Sequence, residues 1–424
     1  MINNKQDTSE LNLKTIIIGL SLSIILGAAN VYLGLKAGMT VSASIPAAVV
    51  GMLILRLISK KSSILEANQI QTAASAGESL AAGIIFTMPA LIIIGVWNEF
   101  NVLLTTVIAF TGGLLGILFM IPMRKVFIVS NVESLKYPEG IACASVLKAG
   151  QENSDSKDAF SIIQGTAIGA LFKILISFFG IFKSTLEGAI LSGNRIFFFG
   201  GDISPALLAV GYIVRLNVSI LIFIGGFLGW LIGIPLLGQG SDYSLNVVDG
   251  AYSLWSSYIR YIGVGAMVIG GISSIFKVRN GLVEAVKILL EKQNKNNLKI
   301  PDHEKNISPN VINGFSILAI LLIGIVYFYL TDSFSISIIT TVIMLVMAFF
   351  FTAVASYIVG LVGNSNSPVS GMTITAVLFT GGLLYIFGYE GINGMIATLG
   401  VAAIVCCAAC TSGDVCNDLK TGHM

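Results

Sequence analysis

Apolar residues run along this chain in stretches of about twenty, the length a helix needs to cross the hydrocarbon of a bilayer. The windows are Leu13–Leu35, Met39–Ile58, Leu80–Trp97, Val102–Ile121, Phe160–Phe182, Ile203–Val214, Val218–Leu237, Leu254–Phe276, Val311–Leu330, Ser335–Leu361, Met372–Phe387 and Ile392–Cys410. They predict an all-α fold, a polytopic membrane protein with about twelve transmembrane helices. Ile203–Val214 is the shortest window and stops at Arg215. Near the start, Lys5, Lys14 and an apolar run reaching Gly27-Ala28-Ala29 imitate a cleaved leader, but hydrophobicity continues through Val31, Tyr32 and Leu33 to a full span.

The polar interruptions are more telling than the apolar runs. Leu361 to Thr373 reads LVGNSNSPVSGMT, a break between two long apolar segments. Unwound backbone finds no partner in hydrocarbon, so such a break survives only inside protein or beside a water-filled cavity. Discontinuous segments of this kind build the substrate site in many transporters. Asn364, Ser365, Asn366 and Ser370 offer amides and hydroxyls, while Pro368 and Gly371 let the backbone leave the helix. These are candidate substrate-binding or gating residues. A short exposed turn has the same composition.

An internal repeat favours function over the plain turn. Tyr32, Gly34-Leu35, Gly38-Met39-Thr40, an apolar span and Ala73-Ala74-Ser75-Ala76-Gly77-Glu78 recur in order as Tyr357, Gly360-Leu361, Gly371-Met372-Thr373, an apolar span and Ala408-Ala409-Cys410-Thr411-Ser412-Gly413-Asp414. Met39 to Glu78 is 39 positions and Met372 to Asp414 is 42, so the spacing is nearly kept. The break at Asn364 thereby matches the loop at Lys36-Ala37-Gly38, and Glu78 matches Asp414. Nine helices between the two starts would invert the second copy in the membrane, the inverted-topology repeat of secondary transporters.

The expected domains are residues 1–276 as a first transmembrane repeat, 277–310 as a polar linker, 311–334 as a connecting helix and 335–424 as an incomplete second repeat. On this reading the chain stops soon after the second acidic motif and is truncated.

Ionisable groups at membrane depth cost a few kcal/mol and face a cavity or a partner. Glu78 and Asp414 are therefore the leading proton-coupling candidates, with Glu66 beside them, and Gln69, Gln71 and Lys36 join the substrate-binding set. The plainer alternative puts both acids at hydrated helix ends. Glu139, in Tyr137-Pro138-Glu139-Gly140, reads as a solvated loop carboxylate at a helix start.

Composition agrees with a membrane protein: 55% hydrophobic, 11% charged and a mean hydropathy of +0.89, against about 25% charged in soluble domains. Lys and Arg concentrate after the second, fourth and eighth windows, at Arg56, Lys60 and Lys61, at Arg124, Lys125 and Lys136, and through Lys277–Lys305. The positive-inside rule then puts the N-terminus in the cytoplasm. Lys183 and Arg195 break the pattern in a loop placed outside. The basic residues form no stripe for nucleic acid. Two histidines and five cysteines suggest neither a disulfide framework nor a metal site, and Cys406, Cys407 and Cys410 read as small packing residues. No cofactor is expected.

Five blocks carry a family resemblance: GAANVYLGLKAGMTVSASIPAAV, ILEANQIQTAASAGES, KYPEGIACASVLKAG, ASYIVGLVGNSNSPVSGMT and SGDVCNDLKTG. They resemble the signature blocks of the oligopeptide transporter family, nearest its prokaryotic and yellow-stripe-like side. The resemblance implies a longer protein and proton-coupled uptake of oligopeptides or metal-chelate complexes across the cytoplasmic membrane, with substrate, protons and the bilayer as partners. A homo-oligomer is compatible with it.

The sequence lacks G-x-x-x-x-G-K-[ST], H-E-x-x-H and G-x-S-x-G, against a nucleotide-driven pump or an intramembrane enzyme. The expected function is a secondary active transporter working by alternating access. The competing expectations are a passive channel, or a non-functional or split fragment of a longer transporter.

Overall fold

In the computed structural model the long apolar runs are helices. It describes residues 12–37, 40, 42–58, 63–124, 127–128, 135–152, 164–165, 167–169, 171–172, 174–176, 185–203, 208, 212, 216–238, 246–263, 265–266, 269–270, 273, 307–367 and 369–424. The elements are α1 (Leu13–Ala37), α2 (Ser44–Ile58), α3 (Ile64–Ile85), α4 (Met88–Ile93), α5 (Val102–Arg124) and α6 (Pro138–Glu152), then β1 (Thr185–Ser192) and β2 (Arg195–Asp202). They continue with α7 (Leu216–Phe227), α8 (Ile234–Leu237), α9 (Val247–Leu254), α10 (Pro309–Thr331), α11 (Phe334–Val362), α12 (Val369–Ile386) and α13 (Gly391–His423). Eight helices among the described residues are long and apolar enough to cross a membrane. The chain is a multi-pass membrane protein.

The expected windows Phe160–Phe182 and Ile203–Val214 lie largely outside the described residues, as does most of the 277–310 linker, and Leu254–Phe276 is described in part. The window Met39–Ile58 yields only the 15-residue α2. Contact clustering divides the chain into two compact units, one of Met1–Asp155 with Gly271–Met424 and one of Ser156–Gly270.

In the first unit, α3 departs from the sequence expectation. The polar stretch before the Leu80 window is itself helical and makes up most of α3. Ser63 closes a capping box there: its Oγ accepts from Glu66 N at 3.1 Å, and Ser63 N donates to Glu66 Oε2 at 3.1 Å. That satisfies two of the orphan donors at the helix start. The alanines, glutamines and glutamates that follow are good helix formers. Their polarity is accommodated by burial against protein, since Gln71, Ser75 and Glu78 are all buried.

α13 lies at the centre of this unit, with 89% of its most apolar window buried, and it packs on α3, α5, α11 and α12. Small residues let the backbones approach. A Cβ on Gly116 would stand 2.5 Å from Ala408 O, and one on Gly112 would stand 2.6 Å from Cys407 Cβ. This is the small-xxx-small contact of membrane helices, where dispersion and close approach replace the hydrophobic effect. The core beside it collects Leu104, Ile108 and Leu115 of α5, Tyr327 of α10, Phe351 of α11 and Val401 to Val405 of α13. All five cysteines are free and buried. α1 packs chiefly on α3, and α11 chiefly on α13.

The second unit corrects the all-α expectation. β1 and β2 form an antiparallel hairpin in register from Thr185↔Asp202 to Ser192↔Arg195. Its two turn residues, Gly193 (φ 55) and Asn194 (φ 69), both have positive φ, as a tight type I′ hairpin requires. Phe198 of β2 stacks on Trp230 at 4.6 Å between ring centroids and meets Tyr252 at 5.5 Å. Ile196, Ile234, Ala251 and Leu254 complete a small core.

Candidate functional site

Two breaks in the helical framework meet at one cavity. The first is the segment between α1 and α2. Its Thr40 and Ser42 are described, whereas Gly38 and Met39 lie outside the described residues.

The second break is the one legible in the sequence. Gly363 ends α11 at φ 88 and ψ 165, a region that costs other L-residues about 1–3 kcal/mol. A Cβ there would also stand 2.8 Å from Glu139 Oε1. Asn364–Asn366 then make a single 3-10 turn before α12. Pro368 and the side chain of Asn366 lie outside the described residues. Gly371, expected within the break, is a buried residue inside α12.

The cavity between them, about 140 Å³, is lined by Thr40, Ser42, Glu78, Ser79, Ala82, Phe86, Asn364, Ser365, Ser367, Val369, Ser370, Cys410 and Asp414. It therefore joins Asn364, Ser365 and Ser370 to both leading acids. Neither acid sits at a hydrated helix end. Glu78 lies within α3 and Asp414 within α13, each 3% exposed. Glu78 Oε2 accepts from Ala43 N at 3.2 Å, and Oε1 accepts from Asn30 Nδ2 at 3.3 Å. Asp414 Oδ1 accepts a close hydrogen bond from Asn364 Nδ2. Each carboxyl group is thus held by the break beside it.

A charged side chain at the bilayer centre costs about 2.5–3.5 kcal/mol on insertion scales, and a hydrogen bond to a charged group returns about 1.5–3 kcal/mol. Two donors offset that cost for Glu78, and Asp414 has one such bond from Asn364. Glu78, Asp414, Asp418 and Glu139 lie close enough to act on one another electrostatically, and among the described residues none of them has an ion-pair partner.

The remaining sequence candidates lie elsewhere. Glu66 serves the capping box, accepts from Asn12 Nδ2 at 2.7 Å and pairs with Lys14 Nζ at 3.2 Å. Gln71 Nε2 donates to Asp418 Oδ1 at 2.6 Å. Gln69 is half-buried on α3, and Lys36 is exposed in the last turn of α1.

Sequence reasoning passed over Asn30, Asp418 and the true position of Glu139. Asn30 was discoverable as a lone amide in the apolar run of α1, and Asp418 as an acid four residues after Asp414, hence on the same helix face. Glu139 is half-buried rather than solvated, and its Oε1 accepts from Ser365 N at 3.0 Å. It thereby ties α6 to the second break.

The chain is 33% identical over 414 residues to a Haemophilus influenzae protein named "Putative oligopeptide transporter", covering 92% of this chain and 64% of that one. It is 23% identical over 328 residues to the iron-phytosiderophore transporter yellow stripe 1 of Zea mays, covering 73% and 47%. It is 22% identical over 340 residues to the metal-nicotianamine transporter YSL2 of Arabidopsis thaliana, covering 74% and 50%. The chain thus spans about half to two thirds of these relatives. No solved structure matches it. Residues 10–424 match the family described as OPT oligopeptide transporter protein, and the chain belongs to that family.

Proposed function

We propose that this chain forms the substrate- and proton-handling part of a secondary active transporter that carries oligopeptides or metal-chelate complexes across the cytoplasmic membrane by alternating access. One observation carries the reading: two buried carboxyl groups, on α3 and α13, open on one cavity, and each is bonded to the neighbouring break in the helices. In this account the repeat of sequence is a repeat of structure, with α1 to α3 answering to α11 to α13. The two halves move against each other around the cavity, and a proton on Glu78, with Asp414 lining the same cavity, biases the cycle. Family membership and the names of the relatives support the substrate classes.

The size of the cavity fits this reading. Pockets that take drug-sized ligands measure about 300–1,000 Å³, and this one measures about 140 Å³. A peptide or chelate enters only if the halves part, so the described state is a closed one. Hydroxyls and amides from Ser365, Ser370 and Asn364 would then meet the substrate. The N-terminus faces the cytoplasm by the distribution of Lys and Arg.

Uptake of labelled di- to hexapeptides and of iron chelates into proteoliposomes tests the proposal. Accumulation of one class that rises with an inward proton gradient supports it. Uptake of neither class, or uptake indifferent to the gradient, refutes it.

A further inference from the structure

A polar cluster lies apart from the cavity lining, deep between α3 and α13. Asp418, 4% exposed, sits one turn beyond Asp414. Its Oδ1 accepts from Gln71 Nε2 at 2.6 Å, and its Oδ2 lies 2.5 Å from Ser75 Oγ. Ser75 and Gln71 are 1% and 0% exposed. Two details set this carboxyl group apart from a structural one.

The first concerns the hydroxyl. Ser75 Oγ also lies 3.0 Å from Thr72 O, and a hydroxyl has one proton to donate. With Asp418 ionised, Ser75 donates to the carboxylate. With Asp418 neutral, its own O–H donates to Ser75 Oγ, and the serine proton turns to Thr72 O. Ser75 and Asp418 keep each other as partners in both states, and neither has to move a heavy atom.

The second concerns the amide. Gln71 Oε1 is fully buried without a partner, and such an orphan costs about 1–3 kcal/mol. It belongs to the amide already bonded to Asp418, so turning that amide over supplies a second acceptor for a protonated Oδ1.

Asp418 acts electrostatically on Glu78 of α3, Cys143 of α6, and Asp414 and Cys416 of α13 itself. Lys420, two residues on, forms no ion pair with it among the described residues. Among the described residues, then, no cation pairs with Asp418.

We propose that Asp418, with Gln71 and Ser75, is a proton-carrying site in its own right, taking up and returning one proton while keeping α13 bonded to α3 in both states. Uptake forms one O–H bond on the carboxylate and breaks none in the protein, and release reverses it. The site rests on the proton-coupled reading above for its use in transport. Asp414, one turn away, lines the cavity.

Infrared difference spectra of the full chain in lipid nanodiscs, recorded across an acid titration, read the carbonyl stretch of buried protonated carboxyl groups directly. One such band should be lost in Asp418→Asn and kept in Glu78→Gln and Asp414→Asn. Ser75→Ala should move it to higher frequency by removing an acceptor of the O–H. A spectrum of Asp418→Asn identical to wild type overturns the proposal. If that variant does not fold, an unshifted band in Ser75→Ala overturns it instead. A band that depends on Asp418 in a protein without gradient-driven uptake retains this site and refutes the coupling reading alone.

Discussion

At the scale of single residues, the cavity is a contest between desolvation and hydrogen bonding, and the acids are where it is decided. Asn364 donates to Asp414, and more strongly when Asp414 is ionised. Asn364→Leu, close in volume, should cost about 1.5–3 kcal/mol in that state. The thermal midpoint of the variant should thus fall below wild type, and the gap should narrow as pH falls. A gap independent of pH would mean that the bond stabilises neither form preferentially. Gly363→Ala forces an L-residue to φ 88 and sets its Cβ against Glu139. It should lose about 1–3 kcal/mol, read as a lower denaturation midpoint.

Glu78 and Asp414 stand out in the sequence because an acid in an apolar, glycine-rich run has few reasons to be there. Asp418 and Glu139 do not, because they sit among polar neighbours near the ends of their segments, where a solvated carboxylate is the ordinary expectation. Only the packing of α3 and α6 on α13 reveals their burial.

At the scale of elements, hydropathy alone located the long helices and misjudged the mixed ones. α3 begins well before its apolar window because Ser63 and Glu66 cap it and Ala, Gln and Glu favour helix, while a hydropathy window registers only their polarity. α13 likewise runs past Cys410 through both acids to His423, since its polar residues meet protein instead of lipid. The hairpin was missed for a different reason. Its strands are eight residues each, too short for a window of membrane length, and its signal is local, the Gly193-Asn194 turn. Removing the cap tests the first of these arguments. Ser63→Ala should cost about 1 kcal/mol, and hydrogen exchange should quicken at the first-turn amides of α3 while those near Glu78 keep their protection. Unchanged exchange at the first turn would show that packing, not the cap, holds the helix start.

At the scale of the whole molecule, the account depends on two similar halves meeting at one polar centre in an otherwise apolar interior. α1 on α3 and α11 on α13 are the dominant packings, and α3 against α13 joins them. Both acids sit at that junction. A proton bound there changes the charge that must cross the membrane with the moving halves, and each elementary charge moved through 100 mV is worth about 2.3 kcal/mol. That is enough to bias a cycle. The order of sequence motifs made this arrangement legible, since Glu78 and Asp414 follow matching glycine-rich segments. The convergence of both breaks on one cavity depends on tertiary packing and was not legible.

The central claim is that Glu78 carries the coupling proton. Gradient-driven uptake by Glu78→Gln, measured beside wild type in the same proteoliposomes, tests it most directly. The account predicts that exchange of substrate at equal pH persists while stimulation by an inward proton gradient disappears. Stimulation equal to wild type in the variant would contradict it.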